Sequence, residues 1–389
     1  MKAMWMIVFM LLPLLGIAYI SWHVWTILPW GASWKAVVVA LGMAAFLLLF
    51  FSIRRQLDGL PLPVAQWLYE IGTGSIFVML YLVILFLALD LGRLLHLVPR
   101  SLLYGNGPSA LVITLLMTGV FVYGHLNYKH KVRVALELPT AKALPRDYKL
   151  VLLSDLHIGY HNPRHELSRW IDLVNAEQPD LVLIAGDIID GSMRPLIEER
   201  MAEEFRRLQA PVYACLGNHE YYAGSPEARQ FYRDAGIHLL IDETAVIDSA
   251  IVIIGRDDRT NARRKPLAQL TTSVEATPAQ AHEVRPGAVG RAFTIVLDHQ
   301  PYHLERAEQA GIDFQLSGHT HRGQVWPISW ITDAIYECSW GSHQRGRTRY
   351  YVSSGIGLWG GKFRIGTQSE YVVATLHSTA KGRQATARR

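Results

Sequence analysis

Asp155 and His157, two residues apart, open a series of side chains suited to holding divalent metal ions. Asp187 follows Gly186, and Asn218, His219 and Glu220 follow Gly217. His299 follows Asp298, and His319 and His321 flank Thr320 after Gly318. Mixed carboxylate, amide and imidazole donors suit Mn, Fe, Co or Zn better than an all-oxygen ion such as Ca. No thiolate joins the set, which argues against a structural zinc site. A carboxylate lying between two cations can bridge them, and Asp187 after its tight glycine is the natural bridge. Two cations roughly 3.5–4 Å apart can activate a water and clamp phosphoryl oxygens. The chemistry on offer is therefore hydrolysis of a phosphate ester. Singly, each block is commonplace: Gly-Asp is usually a turn, and a lone His is usually a surface or core residue. The weight lies in their order and placement.

Secondary structure must bring these blocks together. Lys149–Leu153, Asp180–Ala185, Val212–Leu216, Ala292–Leu297 and Phe314–Ser317 are short apolar runs that read as buried strands. Each ends just before one of the blocks, and ligands in such sheets gather beyond the carboxyl ends of strands. Residues 164–178 have helical spacing, with Leu167, Trp170, Ile171 and Val174 on one face. Residues 195–208 and 226–235 read as further helices, and Ala250–Ile254, Tyr350–Ser354 and Glu370–Leu376 as further strands. Alternating strands and helices imply an α/β architecture, and the strand-rich later part implies two packed sheets.

The five blocks, Ser154-Asp155-Leu156-His157, Gly186-Asp187, Gly217-Asn218-His219-Glu220, Asp298-His299 and Gly318-His319-Thr320-His321, stand in one order. That order resembles the calcineurin-like metallophosphoesterase superfamily, over roughly residues 148–377. The stretches from Ser317 to Gln324 and from Val352 to Gly357, with the apolar N-terminal third, are similar to its bacterial membrane-associated branch. Arg322 departs from the pattern, since relatives carry glycine there. The resemblance implies a four-layer α/β/β/α sandwich with two divalent metals. It assigns Asp155, His157, Asp187 and His321 to the first metal, and Asp187, Asn218, His299 and His319 to the second. His219 would be a general acid or transition-state donor, with Glu220 as the acceptor that orients it.

The first third belongs to a different solvent. Half of the 389 residues are hydrophobic, and the excess sits in the first 128. Four apolar stretches, roughly 4–28, 34–51, 72–91 and 109–127, approach the length of about 20 residues that a spanning helix needs. A cleaved signal peptide would explain only the first. Trp5, Trp22, Trp25, Trp30 and Trp34 cluster near the ends of the first two, where interfacial belts place Trp. With four spans, one side carries Lys2, Arg54, Arg55, Lys129, Lys131 and Arg133, and the other Lys35, Arg93 and Arg100. The positive-inside rule then places the catalytic domain in the cytoplasm, on a multi-pass anchor in the inner membrane. Asp90 and Arg93, one turn apart, are expected to pair at the rim. The expected division is a bundle of about four transmembrane helices at 1–128, a linker at 129–147, the catalytic domain at 148–377 and a flexible basic tail at 378–389.

The formal charge is +5, and the two cysteines, Cys215 and Cys338, are too few and too far apart for a disulfide framework. The expected substrate is a phosphomonoester or phosphodiester, and the anchor suggests one linked to lipid. Trp326, Ile328, Trp330 and Ile331 either touch a bilayer or acyl chain or belong to the core. Arg256, Arg259, Arg263, Arg264 and Lys265 either contact a phosphate-rich substrate or form a solvated loop. They fall in a polar stretch, 257–291, too long for an ordinary connection and readable as a lid or as disorder. Two other functions share the metal residues. A nuclease would need a basic groove interleaved with aromatics, which the sequence lacks, so nucleic acid is not an expected partner. A non-catalytic sensor or scaffold would have no need of His219.

Overall fold

The computed structural model describes residues 2–276 and 292–379, with side chains for 12–271 and 292–379. The chain divides into two compact units. The first comprises Met1–Leu126 with Gly360–Phe363, and the second Asn127–Trp359 with Arg364–Arg389.

The first unit is built from α1 (Lys2–Ile27), α2 (Ala32–Ile53), α3 (Leu62–Leu94) and α4 (Gly107–Lys129). The last three are long and apolar enough to cross a membrane, and the described side chains of α1 form a shorter apolar helix from Leu12. Leu41, Leu47, Leu111 and Leu115 are exposed, as suits a lipid solvent. Helix α3 begins ahead of the expected apolar run, because Pro61 and Pro63 set up its first turn. Gly72 permits close approach to α2: a Cβ there would lie 2.7 Å from the Leu48 carbonyl carbon. The expected Asp90–Arg93 pair is long, at 4.0 Å. Asp90 is held chiefly by α1 instead, accepting from Tyr19 Oη at 2.8 Å and lying 3.1 Å from Nε2 of buried His23. Pairing across helices satisfies the carboxylate inside an apolar bundle better than a rim partner does.

The second unit begins with β1 (Lys131–Thr140), β2 (Tyr148–Leu153), α5 (Arg164–Ala176), β3 (Leu181–Ala185), α6 (Arg194–Glu198) and α7 (Met201–Phe205). It continues through β4 (Val212–Cys215), α8 (Asn218–Ala223), α9 (Ser225–Ala235), β5 (His238–Leu239), β6 (Glu243–Ile247), β7 (Ile251–Gly255) and α10 (Leu267–Ala276). After β8 (Phe293–Leu297) come α11 (Glu305–Gln309), β9 (Phe314–Ser317), α12 (Ile328–Ile335), β10 (Gly341–Arg345), β11 (Thr348–Val352) and β12 (Ser369–Ser378). Two six-stranded sheets result, ordered β1-β12-β2-β3-β4-β5 and β10-β11-β9-β8-β7-β6.

Strand alternation assigns each sheet two apolar faces. Leu150, Leu152, Leu181 and Leu183 of the first sheet join Ile251, Ile253, Ile295 and Leu297 of the second in one central core. Val151, Leu153, Val182 and Ile184 face the other way, onto Leu167, Trp170 and Val174 of α5 and Phe231 of α9. Val252, Ile254 and Val296 pack with Leu267, Leu304 and Ala307 on the outer side of the second sheet. The result is the expected α/β/β/α sandwich.

Three expected boundaries change. Residues 131–140, assigned to the linker, form β1 and pair along their whole length with β12 in parallel register. The single helix expected at 195–208 is two short ones, broken at Arg200 in a left-handed conformation with φ 54°. Of the long polar stretch, 257–276 contains turns and α10, while 277–291 lies outside the described residues, as does the tail from 380.

Candidate metal centre

Backbone conformation at the strand ends aims the site. Asp155, His157, Asp187, His319 and His321 all have positive φ, between 45° and 71°. Such conformations are strained for non-glycine residues and persist only where the surroundings over-determine them. Two absent side chains make room. A Cβ on Gly217 would lie 2.1 Å from Asp187 Oδ1, and one on Gly318 would lie 2.2 Å from Asp155 Oδ2.

The structure brings seven of the sequence-derived candidates together in three overlapping groups. Asp155, His157 and His321 form one; His157, Asp187 and His219 a second; Asp187, His299 and His319 a third. His321 Nε2 is 3.1 Å from His157 Nε2 and 3.5 Å from Asp155 Oδ1. His157 Nε2 is 3.7 Å from Asp187 Oδ2, and His299 Nε2 is 3.1 Å from the same oxygen. Asp187 thus lies between the two ligand sets. His299 Nδ1 is 2.7 Å from the Ala185 carbonyl, which fixes the ring and leaves Nε2 facing Asp187. His299 Nε2 and Asn218 Oδ1 are buried without hydrogen-bond partners, the state expected of atoms reserved for a cation. The donor set therefore fits two divalent metals on its own geometry.

Electrostatics point the same way. Asp155 and Asp187 are fully buried; burial raises their pKa, but the surrounding histidines outweigh it and hold both carboxyls well below the usual range. Burial would lower His157, yet Asp155, Asp190 and Asp187 pull it up to about 10. His319 falls to about 4 through burial and the neighbouring His299. His321 falls to about 3 through burial and the positive His157, against the pull of Asp155. Against burial, the carboxylates likewise raise His299 and His219, so the buried negative charge here is balanced by protons that a bound cation would replace.

Glu220 is placed differently from expectation. It accepts from the backbone N–H groups of Gly217 at 2.7 Å, Ile189 at 3.0 Å and Asp187 at 3.2 Å, and from Tyr232 Oη at 3.0 Å. Its carboxylate ties the turns together and makes no hydrogen bond to His219. The partner of His219 is Asp190, whose carbonyl is 2.6 Å and whose Oδ1 is 3.4 Å from Nδ1. The same Oδ1 is 3.4 Å from His157 Nδ1. Asp190 escaped the sequence reading, although its position three residues after Asp187, past the same strand end, was the available signal. Arg364 escaped too: it is fully buried, and its guanidinium donates to the carbonyls of His321, Ser354, Gly355 and Gly357 and to Ser369 Oγ. Arg322, the departure from the pattern, lies over the Trp340 ring at 3.9 Å. Cys215 and Cys338 are buried and unpaired, outside the ligand set.

The calcineurin-like phosphoesterase family model matches residues 148–323. An uncharacterized metallophosphoesterase of Campylobacter jejuni is 30% identical over 276 residues, 68% of this chain and 69% of the relative. One from Aquifex aeolicus is 29% identical over 65% of this chain and 95% of the relative. A transmembrane protein with metallophosphoesterase domain from Danio rerio is 28% identical over 87% of this chain and 79% of the relative. With its candidate metal-ligand groups on a two-sheet sandwich, this chain belongs to the calcineurin-like phosphoesterases, hydrolases of phosphoester bonds that depend on a binuclear metal centre.

Proposed function

We propose that the protein is a membrane-anchored phosphoesterase that hydrolyses a phosphomonoester or phosphodiester carried on a lipid. Asp155, His157, Asp187 and His321 would hold one metal, and Asp187, Asn218, His299 and His319 the other. Mn, Fe, Zn and Co all suit these donors. When bound, the pair supplies charge neutralisation at the phosphoryl oxygens and activation of a water. His219, part-exposed and oriented by Asp190, delivers a proton to the leaving oxygen. Asp190 positions both His219 and the outer nitrogen of His157. The charge bias of the short loops supports an inner-membrane anchor of several spans with the catalytic unit in the cytoplasm.

One observation carries the lipid assignment. Within seven residues of His321 the chain enters α12, whose Trp330, Ile331 and Ile335 are 64%, 57% and 60% exposed, with Trp326 beside them at 39%. Trp326 and Trp330 meet edge to face, 5.4 Å apart. Large apolar side chains grouped on a surface mark a contact with a partner or a bilayer, and Trp favours the interface between lipid and water. Ile328, at the start of the same helix, is half-buried, as the core alternative has it.

The test compares two substrates on the purified, metal-loaded protein. Trp330→Glu with Ile331→Glu should lower kcat/KM for a phospholipid in mixed micelles about tenfold more than for p-nitrophenyl phosphate. Equal effects on both would reject the lipid assignment while leaving the hydrolase intact.

A further inference from the structure

The loop after β7, the start of α10 and the length of α11 line an open cavity of about 520 Å³. Arg256, Arg259, Arg264, Lys265, His303 and Arg306 line it, and no carboxylate does. Strand β7 runs parallel to β8, with Gly255 in register with Leu297, so the cavity opens at the same sheet edge as His299. Arg259 connects the two places. Its guanidinium lies 4.1 Å over the Tyr302 ring, Tyr302 Oη is 2.9 Å from Tyr336 Oη, and the Tyr336 ring is 6.4 Å from that of the ligand His319.

The positive charge is only partly compensated. Asp298 takes Arg256 Nη1 at 2.6 Å and Arg264 Nη1 at 3.0 Å, one carboxylate for two guanidiniums. His303 has Glu305 3.2 Å away. Among the described residues, Arg259 and Arg306 make no ion pair. Arg256 is 3% exposed, yet its Nε has no hydrogen-bond partner, and neither does the buried Nη1 of Arg259. A buried N–H left without an acceptor is costly, the more so when it is charged. Such donors are retained where a ligand completes them, and planar guanidinium donors match phosphate oxygens in particular.

We propose that this cavity is a second anion site, binding a phosphate group other than the one cleaved. The site stands on its own donors; its use by the substrate rests on the phosphoesterase assignment. A substrate with two phosphate groups would place one between the metals and the other on Arg259 and Arg306. Free inorganic phosphate offers the same oxygens to the same donors.

The test uses the full-length, metal-loaded protein in detergent, titrated calorimetrically with inorganic phosphate. Two binding events are expected in the parent, and one in Arg259→Gln/Arg306→Gln. The single change Arg306→Glu, at an exposed position, should weaken the second event by about tenfold, and Arg259→Lys should keep more of it than Arg259→Gln. A single event in the parent, or two undiminished events in the variants, would overturn the site. Kinetics then identify the source. If kcat/KM for ADP-ribose or CDP-diacylglycerol falls about tenfold more than for p-nitrophenyl phosphate, the second phosphate is the substrate's own. Equal falls, with the second event lost, assign the site to free phosphate. If no ester is hydrolysed by any metal-loaded form, the proposed function fails and the titration still judges the cavity.

Discussion

Where the turns after β3 and β4 meet, backbone N–H groups point inward and one carboxylate, Glu220, collects three of them. Where the turns after β9 and β11 meet, backbone carbonyls point inward and one guanidinium, Arg364, collects four. Each sheet thus fastens its half of the metal centre with a fully buried group of opposite sign, and on the guanidinium side buried Glu370 also accepts from the Ser354 N–H. Neither ion is a ligand. An ion without a counter-ion is costly to bury unless hydrogen bonds to the backbone replace its hydration. Both halves meet that condition, and both spend the ion on turns whose ligands have strained φ. The comparison teaches that the ligand geometry is imposed from behind.

The largest expected effect probes what the halves share. Asp187→Asn should lower hydrolysis by more than about 100-fold, because even partners behind a ligand cost that much. Metal content by plasma mass spectrometry should fall with it, and a normally active, fully loaded Asn variant would remove Asp187 from the centre. Next comes the guanidinium side. Arg364→Met strands several carbonyls and should cost about 3 kcal/mol in thermal melting, with metal lost preferentially from the His321 site. An unchanged melting curve would show that water replaces the guanidinium.

The carboxylate side should be a step milder. Glu220→Gln keeps the shape but sets an amide donor among N–H donors, costing about 2 kcal/mol. If melting is unaffected while turnover collapses, Glu220 acts on His219 after all and the symmetry between halves is broken. Asp190→Asn touches both His219 and His157, so kcat should fall about tenfold with KM and metal content little changed. The smallest effect belongs to Arg322→Gly. Relief of its φ of 51° and loss of its contact with Trp340 oppose each other, leaving stability within about 0.5 kcal/mol.

The sequence exposed ligands more readily than their supports, for a physical reason. A metal ligand must be one of a few residue types at a strand end, so type and position together reveal it. Asp155, His157, Asp187, His299, His319 and His321 were all legible in that way, and they fall into overlapping groups. Supporting residues act through backbone atoms that any sequence possesses. Arg364 sits in an irregular turn with no periodicity to mark it, and Glu220 was expected to orient His219 only because the family resemblance implied that role. In the fold, the fully apolar central strands announced themselves. The alternation of Val132, Val134, Leu136 and Leu138 in β1 was readable at period two, but charged residues between them made it look like a connection.

The position of β12 governs when this centre can come into being. It lies between β1 and β2 in the first sheet, so the edge strand made earliest in the catalytic unit has no neighbour until the latest strand has been synthesised. Arg364, just ahead of β12, emerges from the ribosome at nearly the same moment. A nascent chain paused after His321 already possesses every ligand but lacks the closing strand and the ion that steadies half the turns. Such pairings between distant parts of a chain form slowly. Metal loading is therefore expected to be a late, post-synthetic event, with β1 an open edge in the interval before it.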